Sequence, residues 1–131
     1  MRPAKWIVTL AVAASLSSGA LAQDVGYSGK WSFSGLIIAN PLITAFAQIC
    51  DLQQIGTQIA GACRGPNGGC SAVGVVDGGH VDLTCRMTVT NNPNLSGVLT
   101  FRGDLQSDGI VRGAVTHSRS PGSGVAAMMR I

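Results

Sequence analysis

The sequence predicts an all-β fold, an eight-stranded antiparallel up-and-down (meander) barrel with disulfide-stapled hairpins. Three observations lead there. The chain holds 18 glycines and no glutamate, and its only lysines are Lys5 and Lys30, so good helix formers are scarce. Short Gly- or Pro-bearing turn signals recur between segments in which apolar and polar residues alternate. Cys50, Cys63, Cys70 and Cys85 all fall on the apolar side of that alternation.

The strands read near 29–38, 43–54, 58–64, 70–76, 80–90, 95–105, 110–117 and 125–130. Their connections are Asn40-Pro41, Gly56-Thr57, "GPNG" (65–68), "DGG" (77–79), "NNPN" (91–94), "SDG" (107–109) and "SRSPGSG" (118–124). All but the last are short, so successive strands should be antiparallel neighbours. Residues paired across a hairpin must share a face, and this tests each register. A Gly56-Thr57 turn pairs Ile55 with Gln58, Leu52 with Gly61 and Cys50 with Cys63, leaving Asp51 and Gln53 outside. A turn at Asp77-Gly78 pairs Cys70 with Cys85, Ala72 with Leu83 and Gly74 with Val81. In that second strand Val81, Leu83, Cys85, Met87 and Val89 face inward, and His80, Asp82, Thr84, Arg86 and Thr88 face outward. A three-residue Ser107-Asp108-Gly109 loop with Gly109 left-handed pairs Leu105 with Val111 and Phe101 with Val115 inside, and Asp104 with Arg112 outside. Closing the sheet on itself buries every apolar face and removes both edges. A sandwich of two four-stranded sheets would bury the same residues.

The N-terminus sets the expected compartment. Met1–Lys5 is basic, residues 6–14 ("WIVTLAVAA") are apolar, and Ala20-Leu21-Ala22 fits a cleavage site. This is the pattern of a secretory signal peptide, residues 1–22, leaving residues 23–131 as a single periplasmic or secreted domain. The apolar run is about half the ~20 residues a spanning helix needs. With Arg2 and Lys5 in the leader, the remainder is close to neutral. Neither a nucleic-acid footprint nor a polybasic membrane patch is present. A membrane-inserted barrel is not expected either, because Asp51, His80, Asp82, Arg86, Arg102 and Asp104 occupy the outer face.

An even cysteine count in a small exported domain reads as a disulfide framework. Cys50–Cys63 with Cys70–Cys85 joins neighbouring strands both times. Cys50–Cys70 would skip a strand, and Cys63–Cys70 would leave Cys50 and Cys85 three strands apart, beyond disulfide reach. A metal centre is not expected, since neither His80 nor His117 has zinc-ligand spacing to a cysteine pair. No G-x-S-x-G elbow occurs and His80 and Asp82 lie on the wet face, so no enzyme and no cofactor are expected.

"GKW" at 29–31, opening the first strand, resembles the G-x-W signature of the calycin-type barrels, the lipocalins, avidins and their relatives. "WSF", "CDLQQIGTQIAGAC", "GVVDGGHV" and "LTFRGDLQSDGIVRGAV" are similar to segments of small exported bacterial β-barrel proteins. The resemblance implies a barrel in which Arg130, on the last strand, packs across Trp31. It does not imply a biotin site, because Trp31 is the single tryptophan of residues 23–131.

Parity places Phe46 and Gln48 inside with Cys50, and His117 inside with Phe101. With Trp31, Phe33 and Arg130 these form the expected ligand pocket, apolar with a few polar groups. A filled core with His117 at its solvated rim is the other reading. The expected function is therefore non-enzymatic binding of a small apolar molecule inside the barrel. The alternatives are a protein-interaction module, such as an inhibitor of an exported protease acting through Gln23–Lys30, and a structural envelope protein. Removal of Gln23–Ser28 would, on the inhibitor reading, abolish partner binding and leave the fold intact.

Overall fold

A computed structural model describes residues 26–39, 42–66, 68–89 and 96–131 of the chain. The expected leader, residues 1–22, lies outside them. Eight strands follow in order: β1 (Gly29–Ala39), β2 (Leu42–Ile55), β3 (Gln58–Gly65), β4 (Gly68–Asp77), β5 (His80–Val89), β6 (Gly97–Leu105), β7 (Val111–His117) and β8 (Ser120–Arg130). Each pairs antiparallel with the next, and β8 returns to β1 to close the barrel. The closing seam runs from Trp31 opposite Arg130 to Ile38 opposite Ser123. Closure removes the unpaired N–H and C=O groups that a sandwich would leave at its edges.

Period-two alternation is what fills the interior. Trp31, Phe33, Leu52, Val81, Leu83, Leu99, Phe101, Val111, Val115 and Met128 are each at most 2 % exposed. Full burial of such a side chain contributes roughly 1.5–3 kcal/mol, so this layer dominates the stability.

Two expected registers are the observed ones. Cys50 faces Cys63 and Ile55 faces Gln58 across Gly56-Thr57, with Gly56 at φ 62°. Leu105 faces Val111 and Phe101 faces Val115, with Gln106 N–H donating to the Ile110 carbonyl and Gly109 at φ 83°.

The β4–β5 register differs from expectation. The turn is Gly78-Gly79, with Asp77 opposite His80, Cys70 opposite Met87 and Ala72 opposite Cys85. Moving a two-residue turn by one position shifts the register by two, and every side chain keeps its face. Alternation is therefore blind to the choice, and turn chemistry decides it. Gly78 adopts φ 58° as first central residue, the place where a type II′ hairpin requires glycine. The β7–β8 connection also differs. "SRSPGSG" is not one loop: the turn is Ser118-Arg119, and β8 begins at Ser120. Pro121 and Gly122 lie in an irregularity where the pairing slips from Thr116–Ser123 to His117–Ser120. Proline, lacking an N–H, is tolerated within a sheet at such a break.

The outer surface is two-sided. On β5–β6, His80 Nδ1 lies 2.9 Å from Asp104 Oδ1 and its Nε2 3.3 Å from Asp82 Oδ2. Hydrogen bonding to Asp104 leads the interactions that raise the His80 pKa above its ordinary value. A raised folded pKa means His80 stabilises the fold fully below the unfolded pKa of about 6.5, and the contribution disappears as pH rises through the folded value. His80→Gln should therefore flatten the decline in stability on the alkaline side of pH ~6.5. Urea titrations at several pH values check this, and parallel curves for the two proteins would refute it. The β8–β1–β2 face is instead apolar, with Leu36, Ile38, Ile43 and Val125 each 42–65 % exposed.

Candidate functional site: the open end of the barrel

The two ends of the barrel are built differently. At one, the chain before β1 folds across the opening and seals it. Tyr27 is 0 % exposed and stacks on Trp31 with ring centroids 5.8 Å apart. Its hydroxyl donates to the Gly78 carbonyl (2.9 Å), and its backbone N–H donates to Gln54 Oε1 (2.8 Å). Burial pushes the Tyr27 pKa up, which keeps that hydroxyl a donor. Trp31 Nε1–H donates to the Tyr27 carbonyl at 2.8 Å. The Arg130 guanidinium lies 4.5 Å over the Trp31 ring and donates to the carbonyls of Ser28 (2.8 Å) and Gly26. A planar fork over an aromatic face is an arginine role that lysine does not reproduce.

Above this plug the barrel is packed. Phe33 meets Phe46 and Phe101 edge to face, at centroid distances of 5.2 and 5.3 Å. The sulfurs lie on the wall beside them. Cys50–Cys63 bridges directly opposed residues with Cα atoms 3.9 Å apart, and Cys70–Cys85 runs diagonally with Cα atoms 5.6 Å apart. The expected direct pairing of Cys70 with Cys85 is thus replaced by a diagonal one, while the connectivity is as expected. Cys63 also stands directly opposite Cys70. The Sγ atoms of Cys63, Cys70 and Cys85 lie within 4.8 Å of one another, a spacing that suits a metal, but all three are committed to disulfides.

The far end, toward Pro66 and the 118–119 turn, contains a cavity of about 280 Å³. Its walls include Ile37, Thr44, Phe46, Gln48, Met87, Leu99 and His117. Gln48 is 8 % exposed, and its Oε1 is buried with no hydrogen-bond partner among the described residues. His117 is 7 % exposed, and its Nδ1 accepts the Arg119 backbone N–H at 3.1 Å, which places the proton of the neutral ring on Nε2. A second, larger hollow of about 1320 Å³ lies outside the wall of β2–β4, but exposed residues such as Gln53, Val73 and Val75 line it and leave it open to solvent.

Of the expected pocket residues, Phe46, Gln48 and His117 come together at this cavity. Phe33 and Phe101 occupy the packed middle, while Trp31 and Arg130 belong to the sealed end. Ile37, Thr44, Met87 and Leu99 are not among the expected pocket residues, although Met87 is expected to face inward and parity from Phe33, Phe46 and Phe101 puts the other three inside. Tyr27 precedes the first strand, where no alternation could announce its burial. Of Gln23–Lys30, the partner-binding segment on the inhibitor alternative, residues Gly26 to Ser28 are part of the closure. Their deletion should not leave the fold intact. The sequence matches no protein-family model and no curated protein.

Proposed function

We propose that residues 23–131 are an exported, non-enzymatic binding protein that holds one small, largely apolar molecule in the open end of a calycin-like barrel. The cavity is the observation that carries this reading. It sits at the small end of ligand-site volumes and pairs apolar walls with two buried polar side chains, the usual composition of such a site. Two supports are independent of it. Buried disulfides fit an oxidising compartment outside the cytoplasm, which agrees with the N-terminal signal pattern. The Trp31–Arg130 closure agrees with the "GKW" resemblance. A plug at one end and a hollow at the other also give the interior a single mouth.

Naphthalene provides a direct test. The cavity has nearly twice the ~150 Å³ that accommodates benzene in an engineered apolar site. Titration of purified residues 23–131 should show saturable binding of one naphthalene per chain, read by its fluorescence. Thr44→Trp, which fills the cavity from a half-buried wall position, should abolish binding while the far-ultraviolet circular dichroism stays unchanged. Binding that survives Thr44→Trp would place the ligand elsewhere and overturn the reading. The alternative, a protein-interaction module acting through Gln23–Lys30, would present Gly26–Ser28 to its partner in place on the barrel, because those residues are bonded into the closure.

A further inference from the structure

We infer that the cavity selects neutral molecules carrying one hydrogen-bond donor, a hydroxyl on a compact hydrocarbon body, over both pure hydrocarbons and carboxylates. The inference rests on the interior-binding reading and assigns it a ligand class. Gln48 supplies the selecting group. Its side chain is more than nine-tenths buried, it lines the cavity, and its Oε1, covered in this conformation, has no donor among the described residues. The other side of the amide lies close over Gly65: a Cβ added there would come within 2.6 Å of Gln48 Nε2. Glycine at that position lets the amide lie against the wall of β3.

An orphaned buried acceptor is costly, and a ligand hydroxyl that meets it on a turn of the Gln48 amide toward the cavity recovers that cost. A hydrocarbon fills the same volume and leaves the oxygen unsatisfied. A carboxylate fares worse, since it offers no proton and brings a negative charge against an acceptor. Among the described residues lining the cavity there is no lysine or arginine to neutralise such a charge, which leaves the His117 ring alone to face it. The same reasoning sets size: Ile37, Phe46, Met87 and Leu99 enclose the hydrocarbon, and about 280 Å³ accommodates a bicyclic ring or a short chain but not a long one.

Four probes of nearly one shape test the inference on residues 23–131: naphthalene, 2-naphthol, 2-methoxynaphthalene and 2-naphthoate. The expected order is 2-naphthol tightest, on the order of tenfold over naphthalene and 2-methoxynaphthalene, with 2-naphthoate weakest at neutral pH. Gln48→Leu should erase the advantage of 2-naphthol and leave naphthalene binding equal or better. Equal affinities for naphthalene and 2-naphthol in the unaltered protein would overturn the selectivity and leave the interior-binding reading standing. Tightest binding by 2-naphthoate would overturn it in the same way. Absence of binding by all four would overturn both. Gln48→Glu is a second variant: with a carboxylate in place of the amide, the preference for 2-naphthol should persist and 2-naphthoate should bind no better.

Discussion

Trp31→Ala should lower the stability of the fold by about 3–5 kcal/mol, the range for deleting a buried Phe or Trp side chain. The effect should be at the upper end, for reasons visible in the closure. Trp31 is 2 % exposed, and its loss leaves a void beneath Tyr27. The Tyr27 carbonyl loses its indole donor, and Arg130 loses the face it covers. Trp31→Phe keeps an aromatic ring and removes the N–H, so it should cost less, about 1–3 kcal/mol for the unsatisfied carbonyl. Arg130→Ala should cost less still, because the guanidinium is solvent-exposed and a cation–π contact there contributes about 0.5–1 kcal/mol. The Trp31 and Arg130 effects should not add, since each residue acts through the other. Urea midpoints followed by circular dichroism measure all three. A Trp31→Ala variant as stable as Arg130→Ala would mean that the closure is held from the rim rather than from within.

Alternation carried most of the architecture into the sequence. Val81, Leu83, Cys85 and Met87 against His80, Asp82, Thr84 and Arg86 define a wall unambiguously, because swapping faces would bury charge. Pairing was legible where turn chemistry admitted one solution, as at Gly56-Thr57 and at the Gly109 loop. It failed at Gly78-Gly79, where two registers differing by two residues satisfy the same pattern. Pro121 and Gly122 misled for a related reason: the same residues mark a loop or a break within a strand, and only the partner strand distinguishes the two. The candidate site was half legible. Parity places Phe46, Gln48 and His117 inside but is silent on height along the barrel axis. Phe33 and Phe101 share that inner face and yet fill the middle. Height depends on strand stagger and on what plugs the other end. The plug is Tyr27, in a segment with no periodicity to read.

Removing either disulfide as a pair, Cys50→Ala with Cys63→Ala or Cys70→Ala with Cys85→Ala, should cost on the order of 3 kcal/mol. The sequence separations of 13 and 15 predict nearly equal losses on loop-closure entropy alone. For a domain of this size each corresponds to a fall in melting temperature of very roughly 15 °C. Loss of both, about 6 kcal/mol, equals the lower end of the ~5–15 kcal/mol that holds an ordinary domain together, so the four-alanine variant should be marginal or unfolded at 37 °C. Single substitutions should behave differently from pairs. In Cys85→Ala the freed Cys70 stands directly opposite Cys63, with their sulfurs within 4.8 Å. Its thiolate can attack the Cys63 sulfur, forming Cys63–Cys70 and releasing Cys50 as the thiolate, with no net oxidation. Peptide mapping of unreduced Cys85→Ala should thus recover Cys63–Cys70 alongside Cys50–Cys63, whereas the Cys70→Ala, Cys85→Ala pair should yield Cys50–Cys63 alone. Recovery of Cys50–Cys63 alone from the single variant would show that the packed wall holds Cys70 away from Cys63 in spite of their opposed positions. Stability would then follow bond count alone, and the single and paired variants would melt together.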